Sequence, residues 1–267
     1  MVTNSWIESS PVNGLESCGD FATCVDLARD RRAIIVGDIA GRGTAAGDGA
    51  AALCAYVHRL VARRVEPSET MRAASDFFAR TVMDEATPFA SLFVAIADLH
   101  EGLVQYASAG HEPALLFNDG EASTHEHFDP TGPVLGLGTA SAYGQQTFPL
   151  FRDSFLVVVT DGITEARRTI HDRLAFFGTG GVARAVRDAV LQRQDPAREV
   201  HRAAVHHAGA GLTDDACVVV ASLSFPNRIR LRPGARAKRG GSARRTMDRA
   251  EVRELLAAQA DRPFLTS

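Results

Sequence analysis

The sequence predicts an α+β fold in which two antiparallel sheets are covered on their outer faces by helices. Three observations carry this. Apolar periodicity switches from strands to two helices, back to strands, to two more helices and to a final strand, an order that packs as sheets with helices outside. Acidic residues and glycines recur where strand-like runs end, although Asp and Gly are both depleted within strands. A chain of 267 residues can bury one large core.

Taken in order, 21–27 and 33–38 run or alternate apolar like a strand pair. Residues 45–65 then repeat apolar side chains at helical spacing through Ala52, Tyr56 and Leu60. Pro67 and Ser68 open a second helix with Met71, Ala74, Phe78 and Val82 along one face. Residues 91–98, 103–108 and 114–117 read as a meander whose first turn is His100-Glu101-Gly102. Strands over 145–149 and 154–160, helices over 181–192 and 196–208, and a strand over 216–223 complete the body.

Four acidic segments abut these strands: Gly19-Asp20, Gly37-Asp38-Ile39-Ala40-Gly41, Thr160-Asp161-Gly162 and Thr213-Asp214-Asp215. Carboxylates gathered together repel one another, and one keeps its proton unless a cation neutralises the group. The pattern therefore reads as one metal site, and hard oxygen donors select Mg²⁺ or Mn²⁺.

Composition excludes several classes. No run approaches the eighteen apolar residues needed to cross a bilayer, and no basic-then-apolar leader opens the chain, so a cytoplasmic location without membrane attachment is expected. Cys18, Cys24, Cys54 and Cys217 lack Cys-x-x-Cys spacing and read as reduced thiols. The sole lysine, Lys238, stands outside any phosphate-loop pattern. None of the cysteines is followed six residues later by the Arg that thiol phosphatases need, and Tyr106 disqualifies Ser108 from a nucleophile elbow.

The net charge of −3 hides an asymmetry: 226–267 holds eleven basic against four acidic residues, whereas 1–225 holds 18 against 28. The expected organisation is an acidic body over 1–225, holding the carboxylates, and a basic tail over 226–267. In the tail, Val252, Leu255, Leu256 and Gln259 form the stripe of a short amphipathic helix. A chain with pI near 6.3 and an acidic body is poorly suited to nucleic acid, so the tail fits an acidic protein better.

The motifs resemble the bacterial SpoIIE-type branch of the PPM (type 2C) metal-dependent Ser/Thr protein phosphatases. Gly37-Asp38-Ile39-Ala40-Gly41-Arg42-Gly43 is similar to that branch's Gly-Asp-Val-Ser-Gly-His-Gly segment, and Ala107-Ser108-Ala109-Gly110-His111-Glu112-Pro113 to its Asn-Ala-Gly-His-Pro-Pro segment. Val159-Thr160-Asp161-Gly162-Ile163-Thr164-Glu165-Ala166 follows Tyr-Thr-Asp-Gly-Leu-Thr-Glu-Ala closely, and Asp214-Asp215 before Val218-Val219-Val220 closes the pattern. The resemblance implies a four-layer α-β-β-α sandwich with two antiparallel sheets flanked by helix pairs. It also implies two Mn²⁺ or Mg²⁺ ions, held by Asp38 and Asp161 with the Ile39 carbonyl and Asp214 completing the shell. Asp20 stands near the ions, directly or through water. Asp38, Asp161 and Asp214 are the implied catalytic set, activating water for in-line attack on a phosphoserine or phosphothreonine. The implied substrate is a phosphorylated STAS-type anti-sigma antagonist in a partner-switching pathway. The competing reading is a docking module that keeps the fold and binds such a partner without turnover.

Several residues carry a plainer reading beside the functional one. Asp215 reads equally as a ligand or a surface cap, and Arg42 equally as a phosphate contact or a solvent-facing turn residue. His111 reads as a turn residue whose ring bonds the backbone, Glu165 as a solvated residue, and His201, His206 and His207 as surface. Gly178-Thr179-Gly180-Gly181 reads as a helix-opening turn. Thr23 stands where the branch has a second acid, a departure that removes a peripheral metal contact.

Overall fold

A computed structural model describes residues 5–10, 18–28, 30–41, 43–118, 122, 125–137, 143–151, 153–167, 175–209 and 211–223. The chain divides into two units, Met1–Phe225 and Pro226–Ser267. The expected tail helix with Val252, Leu255, Leu256 and Gln259 lies outside the described residues.

Strands β1 (Ser5–Ser10), β2 (Asp20–Leu27) and β3 (Arg31–Ile39) are followed by helices α1 (Thr44–Ala62) and α2 (Pro67–Thr81). Next come β4 (Ala90–Asp98), β5 (Leu103–Ala109), β6 (Ala114–Phe117), β7 (His125–Phe128), β8 (Gln146–Pro149) and β9 (Phe155–Val159). A single turn, α3 (Asp161–Thr164), precedes α4 (Gly178–Gln192), α5 (Pro196–Ala208) and β10 (Ala216–Ser222). The strands form two five-stranded antiparallel sheets, ordered β2-β3-β4-β5-β8 and β1-β10-β9-β6-β7.

Three apolar clusters separate four layers. One, including Leu53, Val57, Met71 and Phe78, lies between the α1/α2 pair and the first sheet. A second, including Ile34, Phe93, Leu116, Val158 and Val219, lies between the sheets. A third, including Val157, Val186, Val200 and Val218, lies between the second sheet and α4/α5. The α-β-β-α sandwich is thus present. Strands whose side chains alternate between two buried faces account for the continuous apolar runs in β3, β4 and β10.

Three sequence expectations need correction. Residues 114–117 do not extend the β4–β5 meander; they cross to the second sheet and pair with β9 and β7. The buried stripe of α1 runs through Gly49, Leu53, Val57 and Val61, one residue out of phase with Ala52, Tyr56 and Leu60. His201 and His207 are half-buried rather than surface residues: His201 Nε2 bonds Ser10 Oγ at 2.8 Å, and His207 Nε2 bonds the Ala175 carbonyl at 2.6 Å. His206 is exposed as expected.

Candidate metal centre

Antiparallel register brings the acidic segments to one end of both sheets. Asp20, opening β2, pairs with Asp38 near the end of β3, and Asp38 pairs with Ser91 of β4. In the other sheet β9 ends at Val159, two residues before Asp161, and β10 starts at Ala216, just after Asp214 and Asp215. Because the two strands run antiparallel, both chain ends emerge on the same side.

Two glycines allow the ends to close. A Cβ on Gly19 would stand 2.6 Å from the Ile39 carbonyl oxygen, so only glycine permits this approach, and the Ile39 N–H donates back to the Gly19 carbonyl. A Cβ on Gly162 would stand 1.9 Å from the Asp215 carbonyl oxygen, locking the Asp161 turn against the Asp214-Asp215 segment. The Gly19 N–H donates to Asp215 Oδ2 at 2.9 Å and so ties the end of one sheet to the end of the other.

The electrostatics follow from burial and crowding. Burial, then the Asp38 charge, holds the Asp20 carboxyl well above its usual range, while a bond from Thr160 partly opposes the shift. Burial, followed by the Asp214 charge, pushes Asp38 up to about 6, with a hydrogen bond from Asp20 offsetting part of it. Burial, then Asp38, Asp214, Glu165 and Glu112, pushes Asp161 up to about 7. Among the described residues, no three Asp, Glu, His or Cys groups close on one point as a ready ligand cage. The carboxylates stand within Coulombic reach of one another, and Asp20 and Asp38 share a hydrogen bond. An all-oxygen donor set whose ionised forms repel one another fits a hard divalent cation.

Other polar groups hold these acids in place. Thr160, fully buried, donates from Oγ1 to Asp20 Oδ2 at 2.7 Å and accepts the Cys217 N–H at 2.8 Å, so one hydroxyl joins β10 to the first sheet's acid. Thr164 Oγ1 donates to Glu112 Oε2 at 2.9 Å. Asp214 Oδ1 accepts the Asp215 N–H. Sequence reasoning passed over Thr160 and Glu112. The signals were a hydroxyl ending the apolar run Phe155–Val159, and a carboxylate where the resembled segment has proline.

His111 is buried, and its Nδ1 bonds Ser91 Oγ at 2.7 Å, so its partner is a side chain and not the expected backbone group. Burial drops its pKa to about 4, keeping the ring neutral. The Val159 carbonyl opposes this only in part; the contact falls short of hydrogen-bond geometry and leaves Nε2 unpartnered. Glu165 is exposed, as expected. Thr23 pairs with Ile35, three residues along β2 from Asp20 and about 10 Å away by strand rise, so an acid there would not join this cluster. Arg42 lies outside the described residues.

The four cysteines are free, and burial raises the thiols, Cys24 to about 11 and Cys217 to about 12. Neither is a ready thiolate nucleophile.

Comparison with known proteins agrees with this architecture. The family described as "Stage II sporulation protein E (SpoIIE)" matches residues 28–224. Protein IcfG of Synechocystis sp. is 28% identical over 60% of this chain and 28% of its own length. The phosphoserine phosphatase RsbU of Bacillus subtilis is 26% identical over 50% of this chain and 39% of its own. The chain thus spans well under half of either relative. Among solved structures, the PP2C phosphatase domain of SpoIIE from B. subtilis superposes with a TM-score of 0.70 at 14% identity, covering 83% of this chain and 63% of that one. The RsbU and RsbW domains of a Mycobacterium tuberculosis protein give 0.69 at 20% identity, covering 84% and 62%. RsbX, crystallised with magnesium, gives 0.60 at 15%, covering 83% and 96%. With the family match spanning most of the chain and the sandwich shared, this chain belongs to the SpoIIE family of metal-dependent PP2C-type phosphatases.

Proposed function

We propose that this chain is a protein serine/threonine phosphatase whose substrate is a phosphorylated STAS-type anti-sigma antagonist. The observation that carries the reading is the mutual repulsion of Asp20, Asp38 and Asp161, acids drawn from three distant segments to one end of the sandwich. Such crowding is relieved by a retained proton or by a bound cation, and an all-oxygen set of this kind suits a hard divalent cation at neutral pH. Asp38, Asp161 and Asp214, with Asp20, Asp215 and the Ile39 carbonyl around them, would hold Mn²⁺ or Mg²⁺, two ions per site. When bound, the ions supply Lewis-acid activation of water and neutralise charge on the phosphoryl oxygens.

The chain's own groups do the positioning. The Thr160 hydroxyl orients the Asp20 carboxylate, the Gly19 N–H orients Asp215, and Gly19, having no side chain, leaves the Ile39 carbonyl oxygen unobstructed on its side. Neutral His111 contributes no charge and, through Ser91, braces β4 beside Asp38. Hydrolysis joins a water oxygen to phosphorus as the bond to the serine or threonine oxygen breaks. The identities shared with RsbU support a phosphoserine-bearing protein as the substrate.

The test is Mn²⁺- or Mg²⁺-dependent release of phosphate from p-nitrophenyl phosphate and from the phosphorylated STAS-type protein of the same genome. Turnover of both is expected. Asp38→Asn and Asp161→Asn are each expected to lower it by on the order of 100-fold or more while leaving the fold intact. Wild-type rates in either variant would refute the assignment of those acids.

A further inference from the structure

Asp161 opens a single helical turn, α3, and one of the groups fastening that turn is a carboxylate outside the metal assignment. Thr164, the last residue of the turn and 6% exposed, donates from Oγ1 to Glu112 Oε2 at 2.9 Å. The same hydroxyl stands 3.4 Å from the Asp161 carbonyl oxygen. With one hydrogen to give, it serves the closer carboxylate.

Glu112 is itself held on both sides. It lies in the crossover from β5 of the first sheet to β6 of the second, so it enters the acidic end from neither strand that carries the other acids. Before it, the Gly110 N–H donates to the Gly132 carbonyl at 3.0 Å. Gly110 is left-handed at φ 59°, and a Cβ there would stand 2.3 Å from Val134 Cγ1, so only glycine makes this turn. Buried His111 follows, bonded to Ser91 at 2.7 Å, and beyond Pro113 the chain is already paired, Ala114 against Phe128. The Glu112 side chain is half-buried, and its charge reaches Asp161: behind burial, Asp38, Asp214 and Glu165, it is among the groups that push that carboxyl up. A charge that opposes ionisation of Asp161 in the absence of a cation draws a cation toward it by the same Coulomb law. Proline, which the resembled segment has at this position, offers neither the side-chain acceptor nor the charge.

We propose that Glu112 is a positioning residue of the metal centre: its carboxylate, aimed by Thr164, steadies the Asp161 turn and raises the affinity of the acids for Mn²⁺ or Mg²⁺. This rests on the metal-dependent reading above. The test is calorimetric titration of Mn²⁺ into the chelator-treated full chain as wild type, Glu112→Gln, Thr164→Val and the double variant. Glu112→Gln keeps an acceptor for Thr164 and removes only the charge, so a bond that serves the fold alone would leave Mn²⁺ affinity at the wild-type value. The expected result is binding weaker by about five-fold in Glu112→Gln, a loss that shrinks as salt rises. Thr164→Val should weaken binding by less, and the double variant should bind no more weakly than Glu112→Gln. Affinity within two-fold of wild type in Glu112→Gln, or single losses that multiply in the double variant, would overturn the proposal. A wild type that binds no Mn²⁺ sinks this proposal and the metal reading together. If the Glu112 effect is present while wild type hydrolyses no p-nitrophenyl phosphate, the positioning role stands and the phosphatase reading fails by itself.

Discussion

At the scale of single residues, the acids are less telling than the groups that hold them. Thr160 spans the two sheets with one hydroxyl, donating to Asp20 and accepting from Cys217. Thr160→Val keeps the volume and removes both bonds, stranding a buried N–H. The expected cost is about 1–3 kcal/mol of stability, read by urea unfolding, together with weaker Mn²⁺ binding by calorimetry. Thr160→Ser should recover most of both. Gly162→Ala is the harsher change, because its new methyl would stand 1.9 Å from the Asp215 carbonyl oxygen. It should push Asp161 away from Asp214 and abolish metal binding, even where circular dichroism shows the fold surviving.

At the scale of elements, the strands that bear the acids were legible and the edges were not. β3, β4 and β10 announce themselves by unbroken apolar runs, and α5 by Pro196 behind Asp195, whose carboxylate caps Ala197 and Arg198. β1 and β7 were missed. Ser5–Ser10 leaves Ile7 exposed and half-buries Trp6 and Glu8, so its strand character comes from pairing with β10 more than two hundred residues away, which no local pattern encodes. The α1 stripe was read out of phase because alanines at 45, 46, 50, 51, 52 and 55 give every face an apolar look; burial of Leu53, Val57 and Val61 settles it. For the site, Asp20, Asp38 and Asp161 could be named from their glycine neighbours, and Asp214 and Asp215 from their place just before the apolar run 216–223, whereas Thr160 and Glu112 act through contacts across sequence distances of 140 and 52 residues. Removing 1–10 should uncover the β10 edge, lower the melting temperature by roughly 5–10 °C at about 2–4 °C per kcal/mol, and promote aggregation in light scattering.

At the scale of the whole molecule, the acid cluster sets the pH dependence of stability. Asp38 titrates near 6 and Asp161 near 7 in the folded protein, against a usual value of 3.8. Raised carboxyls mean that the folded state binds more protons than the unfolded one between pH 4 and 7, so stability falls as pH rises through that window. Chelator-treated protein should therefore melt higher at pH 5 than at pH 8, and millimolar Mn²⁺ should reverse the order by favouring the ionised acids. A melting temperature that rises from pH 5 to pH 8 in chelator would contradict the crowding. Because the family match ends at residue 224, a chain ending at residue 225 should fold and keep its rate on p-nitrophenyl phosphate, with weaker and less salt-sensitive binding to an acidic protein partner.

Trp6, the chain's single tryptophan, sits on β1 opposite Val220 and lines a cavity of about 360 Å³ with Phe155, Arg193 and Gln194, away from the acidic end. The intrinsic emission of this protein therefore watches the sandwich at its outermost strand and is blind to cation loading. If β1 peels before the core opens, the emission shifts while phosphate release continues, and the gap between the two transitions measures how independently that edge comes loose.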